Sequence, residues 1–387
     1  MTVAMNPISD TESLRIYCEH LRTFDHITID TEFIRENTFW PKLCLIQVGC
    51  EDQARCIDPL SGDLDLSPLF EIFSDTSVVK VFHAARQDLE IFFQRTGVFP
   101  TPLFDTQVAA MVCGFGDSVG YETLVATLTG KKVDKTQRFT DWARRPLSQK
   151  QIDYAISDVT HLRSIYAALR DELNRNGRAD WLEEEMCTLV NPDVYRIDPY
   201  TAWQRIKSRT KTPRFLAVLR ELAAWRERKA QSIDIPRRHL AKDECLLELA
   251  ATIPLSVDDL RHTRLAKGLA RSHHGEEIIT AIRKGRDLPA SDCPILPRVT
   301  HKAQRMSATV DLLKVLLKAK CDKYKVAKKL IATVDDLEKI ASDDDAEVLA
   351  LKGWRRDLFG HDALRVKWGQ IGLTLSENGK RVEIIEL

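Results

Sequence analysis

The chain has 387 residues, of which 44% are hydrophobic and 29% are charged, and its formal net charge is zero. This length predicts two or three domains, and this composition is typical of a soluble globular protein. There is no apolar run of about 18 residues, and the N-terminal residues carry acids where a signal peptide would be basic. These features argue against a membrane or secreted protein, and we expect a cytoplasmic protein without a membrane partner.

The two halves of the chain differ in charge although the total is balanced. Residues 1–195 hold 19 Lys and Arg against 30 Asp and Glu, and residues 196–387 hold 38 against 27. The positive second half is typical of a protein that binds a polyanion, whereas the first half concentrates acids that can hold cations. The same division also fits ordinary solvated surfaces, so charge alone leaves both interpretations open.

Strands and helices are mixed along the first half of the chain. Apolar runs predict strands at 26–33, 43–48, 55–58 and 78–82. Helical periodicity and stop signals predict helices at 10–25, 69–73, 85–95, 106–113, 121–128 and 148–174. The last helix is expected to begin with a capping box of Ser148 and Gln151. This mixture predicts a layered α/β domain over residues 1–190.

The stretch 131–145 is polar and is expected to be a loop whose Phe139 and Trp142 pack against the domain. Arg144 and Arg145, at the end of the stretch, either meet phosphates or belong to an exposed charged turn. The nine cysteines of the chain include no Cys-x-x-Cys pair. Those in the apolar segments, Cys50 among them, are therefore predicted to be reduced core residues rather than zinc ligands.

The second half is expected to be helical, except that Val382, Ile384 and Ile385 in the tail either add an edge strand or pack on the second helical module. The predicted divisions are a linker at 191–210, helical domains at 211–291 and 298–372, and a tail at 373–387. The run Ser256-Val-Asp-Asp-Leu260 recurs as Thr333-Val-Asp-Asp-Leu337, and each Ser or Thr can cap a helix with an acidic first turn. This repeat predicts two related helical modules.

Two acids stand on the first predicted strand. Successive side chains of a strand alternate between its faces, so Asp30 and Glu32 are expected on the same face. Two carboxylates in that position repel each other and resist burial unless a cation lies between them. A strand end with its acids in water is the ordinary explanation of such a pair, and the pair alone does not exclude it.

Three further residues complete a possible metal site. Asp88 follows a predicted strand, and Tyr154 and Asp158 are four apart in the long helix and so share one face. Each has an ordinary alternative, since Asp88 could be a first-turn acid and Tyr154 a core aromatic. Four carboxylates and a phenol suit hard cations such as Mg²⁺ or Mn²⁺. Asp105, at another strand-to-helix junction, is expected to be a helix cap.

These residues match three short motifs of a known family in order and setting. The motifs are Asp30-Thr-Glu32, Asp88 preceded by His83, and Tyr154 with Asp158, and flanking matches lie at Leu45-Ile-Gln47, Phe104-Asp-Thr-Gln107, Asp141-Trp142 and Arg145-Pro-Leu147. Over residues 20–180 the chain thus resembles the DEDD exonuclease superfamily in its Tyr-containing subclass, most closely the ribonuclease D family. The resemblance implies an RNase H-like mixed sheet covered by helices.

The second half resembles a small nucleic-acid-binding module. Matching positions are Leu219, Leu222, Trp225, Arg226, Ala230, Ile235, Pro236, Asp243, Leu249, Ala250 and Pro254. This pattern is similar to the all-α HRDC domain, and residues 302–372 match it more loosely. An exonuclease domain followed by two HRDC-type domains is the layout that the resemblance implies.

The resemblance implies a metal-dependent 3′→5′ exoribonuclease that releases nucleoside 5′-monophosphates. It implies two Mg²⁺ or Mn²⁺ ions, with Asp30 bridging both, Glu32 and Asp158 holding the ion that binds the attacking water, and Asp88 supporting the other. Tyr154 is implied to orient that water. The implied partners are 3′ single-stranded tails of structured RNA, tRNA precursors above all, and the protein is expected to be a monomer.

Two other functions are weighed against this one. A DNA 3′→5′ exonuclease of the proofreading type would use the same site, but the two basic helical modules favour RNA. A non-catalytic RNA-binding protein on a nuclease fold would lack one or more of the metal carboxylates, and all four stand in the sequence. Removal of residues from about 211 onward is expected to weaken RNA binding and to leave catalysis on short RNA intact.

Overall fold

The computed structural model describes residues 6–134, 136–264, 267–270, 274–295 and 307–387, and it contains two compact units. One unit comprises the described residues of Met1–Glu32, Cys44–Asn191 and Val299–Leu387, and the other those of Phe33–Leu43 and Pro192–Arg298. This division differs from the predicted domains, which remain predictions, because long-range packing joins segments that are distant in sequence. The predicted start of the last domain, at 298, lies outside the described residues.

The first unit is built on a five-stranded mixed sheet, as predicted. Its strands are β1 (His26–Ile34), β2 (Lys42–Gly49), β3 (Ala54–Ile57), β4 (Val79–Phe82) and β5 (Leu103–Asp105), in the order β3-β2-β1-β4-β5. β4 is parallel to both β1 and β5, and β2 is antiparallel to β3. Strand β1 therefore lies at the centre of the sheet.

Seven helices accompany this sheet. They are α1 (Thr11–Leu21), α2 (Ser67–Phe73), α3 (Arg86–Thr96), α4 (Thr106–Val112), α5 (Tyr121–Thr129), α6 (Gln149–Asn176) and α7 (Ala179–Leu189). Helix α6 begins with the predicted capping box, in which the Ser148 hydroxyl accepts a hydrogen bond from the backbone N–H of Gln151. Strand β5 agrees with the strand-to-helix junction that the sequence predicts at Asp105, and helix α7 is additional to the predicted elements.

Helix α6 packs closely on the sheet. The Thr28 hydroxyl of β1, fully buried, donates a hydrogen bond of 2.8 Å to the backbone carbonyl of Val159 on α6. A Cβ at Gly49 would lie 2.8 Å from the Thr28 hydroxyl oxygen and 3.4 Å from Val159. Glycine at this position thus permits the close approach that brings the middle of α6 against the centre of the sheet.

The second unit is a helical bundle that includes a short segment from near the N-terminus. Its helices are α8 (Pro213–Ser232), α9 (Arg237–Leu240), α10 (Asp243–Thr252), α11 (Val257–Arg261), α12 (Lys267–Ala270) and α13 (Gly275–Arg286). Phe39 is buried in the same core as Phe215 and Trp225, together with Trp203 from the predicted linker. The backbone N–H of Phe39 donates to the Asp234 carboxylate at 3.0 Å. The segment 33–43 is therefore part of this core.

The C-terminal part of the first unit contains helices and a hairpin. The helices are α14 (Ser307–Tyr324), α15 (Lys328–Ile331), α16 (Val334–Ser342), α17 (Gly353–Arg355) and α18 (His361–Lys367). Strands β6 (Ile371–Leu375) and β7 (Val382–Glu386) pair antiparallel, so the strand alternative for the tail is confirmed at β7, whereas β6 is additional to the predicted elements. Within the described part of the chain, none of the helices is both long enough and apolar enough to span a bilayer.

Contacts between these helices and α7 explain why they share a unit with the sheet. The rings of Trp354 and Trp181 are stacked, with centroids 4.2 Å apart and planes inclined by 8°. The Arg355 side chain, only 2% exposed, forms ion pairs with Glu184 and Glu185. Stacking and buried ion pairs both require a fixed geometry, so this interface holds α17 firmly against α7.

Candidate active site

The two acids of β1 lie on one face at the centre of the sheet, as strand alternation predicts. Carboxylate oxygens of Asp30, Glu32 and Asp158 all lie within 4.8 Å of one another. Strand β1 supplies the first two, and helix α6, held by the Thr28 contact, supplies the third. The structure thus brings three of the four predicted metal ligands into one cluster.

Tyr154 and Asp158 share the sheet-facing side of α6. The Tyr154 phenol and the Asp158 carboxylate lie close enough for each to act on the pKa of the other. The Tyr121 hydroxyl of α5 donates to the backbone carbonyl of Asp158 and fixes this turn of the helix from the other side. The two predicted residues are therefore adjacent, and the phenol of Tyr154 reaches the acid cluster.

Asp88 lies at the edge of this cluster. It is buried in the first turn of α3, and the Thr31 hydroxyl of β1 donates a hydrogen bond to its carboxylate. Its oxygens are not part of the group of three that lie within 4.8 Å of one another. Its charge nevertheless acts on both Asp30 and Glu32. The fourth predicted ligand is thus close enough for electrostatic coupling to the other three.

The pKa values of all four carboxyl groups are raised. Burial, with repulsion from Asp158, raises the pKa of Asp30 to about 8, and burial with repulsion from Asp30 raises that of Glu32 to about 9. Burial raises the pKa of Asp158 to about 7 and that of Asp88 well above its ordinary value. Such a group of buried acids is stable in the charged form only beside cations, and oxygen ligands fit hard divalent ions.

The cluster opens into a cavity of about 420 Å³. Besides Asp30, Tyr154 and Asp158, the lining includes Tyr121 and Arg138. The positive charge of Arg138 acts on Glu32, so a cationic side chain of the cavity lining lies near the acids. Neither residue is among the predicted site residues, because neither belongs to a motif and the loop that carries Arg138 has no period.

The loop before α6 differs in part from its prediction. Trp142 is buried as expected, but Phe139 is 91% exposed, and the guanidinium of Arg138 lies 5.3 Å from the centroid of its ring. Arg145 forms an ion pair with Asp58 at 2.6 Å and donates to a backbone carbonyl of β2. Of the alternatives for the arginines, a phosphate contact by Arg145 is therefore wrong, because the sheet already binds it.

Asp105 is the helix cap that the sequence predicts. Its carboxylate accepts hydrogen bonds from the backbone N–H groups of Ala84, Ala85 and Gln107 at 2.8–3.0 Å. His83 contacts the Thr106 hydroxyl at 2.9 Å, which agrees with a structural role. These bonds join the ends of β4 and β5 to the starts of the helices that follow. Hydrogen bonds from backbone N–H groups occupy the oxygens of the Asp105 carboxylate.

Family models and related proteins match this chain. A family model described as a 3′–5′ exonuclease matches residues 5–174, and one described as an HRDC domain matches residues 215–282. The chain is 50% identical to ribonuclease D of Granulibacter bethesdensis over 98% of this chain and 96% of that one. It is 46% identical to ribonuclease D of Nitrobacter hamburgensis over 98% and 99%.

A solved structure extends these similarities. The crystal structure of Escherichia coli RNase D, described as an exoribonuclease involved in structured RNA processing, matches with a TM-score of 0.80 and 31% identity. The match covers 94% of this chain and 99% of that chain. Both the exonuclease region and the helical region with its HRDC match are thus present in one relative of nearly the same length.

Proposed function

We propose how this protein acts from one premise: the chain belongs to the ribonuclease D family and is a 3′→5′ exoribonuclease. We assign Asp30, Glu32, Asp88, Tyr154 and Asp158 as its catalytic residues. The observation that carries this assignment is the cluster of carboxylates on β1 and α6 at the base of the cavity. Their raised pKa values indicate a site built to hold positive charge.

The four carboxylates would hold two divalent ions. Asp30, Glu32 and Asp158 form the compact oxygen cluster for one ion, and Asp88 together with Asp30 would hold the second. When bound, such ions supply an activated water and stabilise charge on the leaving oxygen. Tyr154 lies beside Asp158 at the edge of the cluster and would position the attacking water. Either Mg²⁺ or Mn²⁺ suits these ligands.

The substrate is the 3′ end of RNA, and the cavity receives its terminal nucleotide. Arg138 faces the acids and would bind a phosphate of the tail, while the exposed ring of Phe139 beside it offers a surface for base stacking. Hydrolysis of the last phosphodiester would release a nucleoside 5′-monophosphate. By analogy with the E. coli relative, the physiological substrates are structured RNAs, and tRNA precursors are our first choice.

One HRDC domain is matched, and the second helical module of the same type remains a proposal. Its support is the repeated capping box, since Ser256 and Thr333 each accept from an Asp three residues later, and the Asp side chain accepts in return. A monomeric, cytoplasmic enzyme likewise stays a prediction from the sequence.

The test uses 3′-labelled RNA and a DNA of matched sequence. We expect release of the 3′ label as a nucleoside 5′-monophosphate with Mg²⁺ or Mn²⁺, and no release when a chelator is added. A large preference for DNA would favour the proofreading-type alternative, and equal degradation with and without chelator would refute the metal mechanism. Appearance of nucleoside 5′-monophosphates as the first products distinguishes exonucleolytic release from internal cleavage.

Tyr154→Phe is expected to lower the single-turnover rate roughly a hundredfold, because the water loses the phenol that positions it. The Mg²⁺ concentration for half-maximal rate should change little, since the carboxylates remain. Tyr166→Phe, the same substitution farther along α6, is the matched control and should keep the rate. A Tyr154→Phe rate within twofold of the unmodified enzyme would contradict this role.

A groove of about 540 Å³ beside the C-terminal helices supports an extended RNA path. Its lining includes Lys314, Lys318, Lys328 and Lys329, with Asp117 as its one acid among the described lining residues. Lysine ammonium groups are phosphate contacts without base preference. The groove lies within the first unit, so the positive second half of the sequence contributes basic side chains to the catalytic unit itself.

Replacing Lys314, Lys318 and Lys328 together by Gln is expected to weaken RNA binding and to reduce its salt dependence. For single-stranded RNA the slope of log K against log salt should become shallower by up to about 2, or about 0.7 for each lost phosphate contact. The measurement is a binding titration at several salt concentrations. Lys380→Gln, in the exposed hairpin turn, is the control. An unchanged slope in the triple variant would place the RNA elsewhere.

A further inference from the structure

A second cluster of metal-ligating side chains lies away from the catalytic acids. His20 stands in the last turn of α1, and Cys50 and Asp52 belong to the turn between β2 and β3. The Cys50 sulfur, the ring nitrogen of His20 and a carboxylate oxygen of Asp52 all lie within 4.8 Å of one another. None of these residues belongs to the motifs of the exonuclease.

The separations within this cluster are close to those of a tetrahedral site. The Asp52 carboxylate lies 3.1 Å from the His20 Nε2 and 3.1 Å from the Cys50 Sγ. Typical zinc bonds of about 2.0–2.3 Å place neighbouring ligands of a tetrahedron about 3.4–3.5 Å apart. The two separations from the Asp52 carboxylate thus differ from tetrahedral ones by a few tenths of an ångström, and the His20 nitrogen and the Cys50 sulfur lie within 4.8 Å of each other.

The surroundings of the three ligands favour a fixed site with one open position. Cys50 is fully buried, whereas the side chains of His20 and Asp52 are 35% and 56% exposed. The backbone N–H of Cys50 donates to the Gln53 carbonyl at 2.8 Å, which closes the turn and fixes the sulfur. A cation could therefore enter from the solvent side and keep a water as its fourth ligand.

The sequence predicts that Cys50 is not a zinc ligand, but the structure brings His20 and Asp52 beside it. We propose that His20, Cys50 and Asp52 bind a zinc-class divalent cation, with water as the fourth ligand. Nitrogen, sulfur and oxygen together suit Zn²⁺ or Co²⁺, whereas the all-oxygen catalytic cluster suits Mg²⁺ or Mn²⁺. Formation of the metal–sulfur bond displaces the thiol proton of Cys50, which passes to solvent, so affinity rises with pH. All nine cysteines are free thiols, and this one has imidazole and carboxylate partners in place.

Metal at this site would join the β2–β3 turn to α1 near the catalytic helix. The carbonyls of Cys50 and Glu51 both accept hydrogen bonds from Arg163 of α6, five residues after Asp158. A ligand that fixes this turn therefore stabilises one support of α6. The bound ion is expected to raise the melting temperature without being required for hydrolysis.

The test is a Co²⁺ titration of the full-length protein with Mg²⁺ in excess. A sulfur-to-cobalt charge-transfer band should saturate at one equivalent and disappear when Zn²⁺ is added. Cys50→Ser should abolish the band, and Cys187→Ser, which replaces an exposed cysteine on α7, should leave it unchanged. Only coordination by Cys50 produces this pattern, since the catalytic cluster contains no sulfur.

Two further variants keep the proposal testable if Cys50→Ser does not fold. His20→Gln and Asp52→Asn keep the thiol and are each expected to weaken Co²⁺ binding by about tenfold or more. Mg²⁺-dependent hydrolysis should persist in both, because neither side chain touches the catalytic cluster. Absence of the band in the unmodified protein, or unchanged Co²⁺ affinity in both variants, would show that the three side chains form only a hydrogen-bonded cluster.

Discussion

Asp30→Asn is expected to lower the rate of RNA hydrolysis about a thousandfold or more and, in metal-free protein at pH 8, to raise the melting temperature. The loss of rate follows from the position of Asp30 between the other acids, where it would contact both ions, whose stabilisation of the transition state is worth several kcal/mol. The gain in stability follows because the amide removes one charge from a buried cluster of like charges.

The pH dependence of the metal-free protein determines whether Asp30→Asn raises or lowers the melting temperature. The folded pKa of Asp30 is about 8, above the unfolded value of about 3.9, so the folded state binds the extra proton. The stability that this proton contributes is complete below about pH 4 and is lost as the pH rises to about 8. Glu32, with a pKa of about 9, extends the same trend. Divalent ions should reverse the loss in the unmodified protein.

The measurement is the melting temperature between pH 5.5 and 8, with and without Mg²⁺, beside single-turnover rates on short RNA. We expect a smaller decline with pH in Asp30→Asn than in the unmodified protein, and a smaller gain from Mg²⁺. Asp153→Asn, an exposed acid one position before Tyr154, is the control and should change neither quantity. A rate within tenfold of the unmodified enzyme would remove Asp30 from the metal site.

Arg355→Ala is expected to release the C-terminal helices from α7. Arg355 is almost completely buried and pairs with Glu185, which is only 13% exposed, as well as with the more exposed Glu184. Removal of one partner of a buried ion pair, here the pair with Glu185, typically costs about 3–5 kcal/mol. That cost makes local opening roughly a hundredfold to several-thousandfold more frequent. Amide hydrogen exchange should therefore accelerate by this factor in α7 and α17.

The control for this experiment is the neighbouring arginine. Arg356 is exposed, and Arg356→Ala should leave the exchange rates unchanged. Exchange rates in Arg355→Ala within threefold of those in Arg356→Ala would show that the ion pairs do not hold the interface. The same contacts revise the expectation for truncation at about 211, since deletion also removes Trp354 and uncovers Trp181. We now expect the truncated protein to be less stable as well as weaker in RNA binding.

The sequence predicts the positions of the candidate site residues well where those positions depend on local spacing. Asp30 and Glu32 share a face because strands alternate, and Tyr154 and Asp158 share a face because they are one helical turn apart. The resemblance to a family adds Asp88 to these two pairs in the predicted site. No local rule brings Asp30 and Asp158 together, since their distance depends on how α6 packs over β1.

The features that the sequence did not predict depend on packing between distant segments. Arg138 reaches the cavity and Phe139 points to solvent because of the path of an irregular loop, which has no periodicity to interpret. The stacking of Trp354 on Trp181 joins two helices far apart in the chain, and each tryptophan alone is an ordinary core candidate. Such contacts follow from shape complementarity rather than from spacing.

The inclusion of residues 33–43 in the helical core has a consequence during synthesis on the ribosome. Phe39 emerges early, but its neighbours Phe215 and Trp225 are translated more than 170 residues later. At about 5–20 residues per second this delay is roughly 10–35 s, during which an apolar segment next to the catalytic strand lacks its partners. Nascent chains halted before α8 should therefore engage chaperones at this segment, which makes it the vulnerable point of co-translational folding.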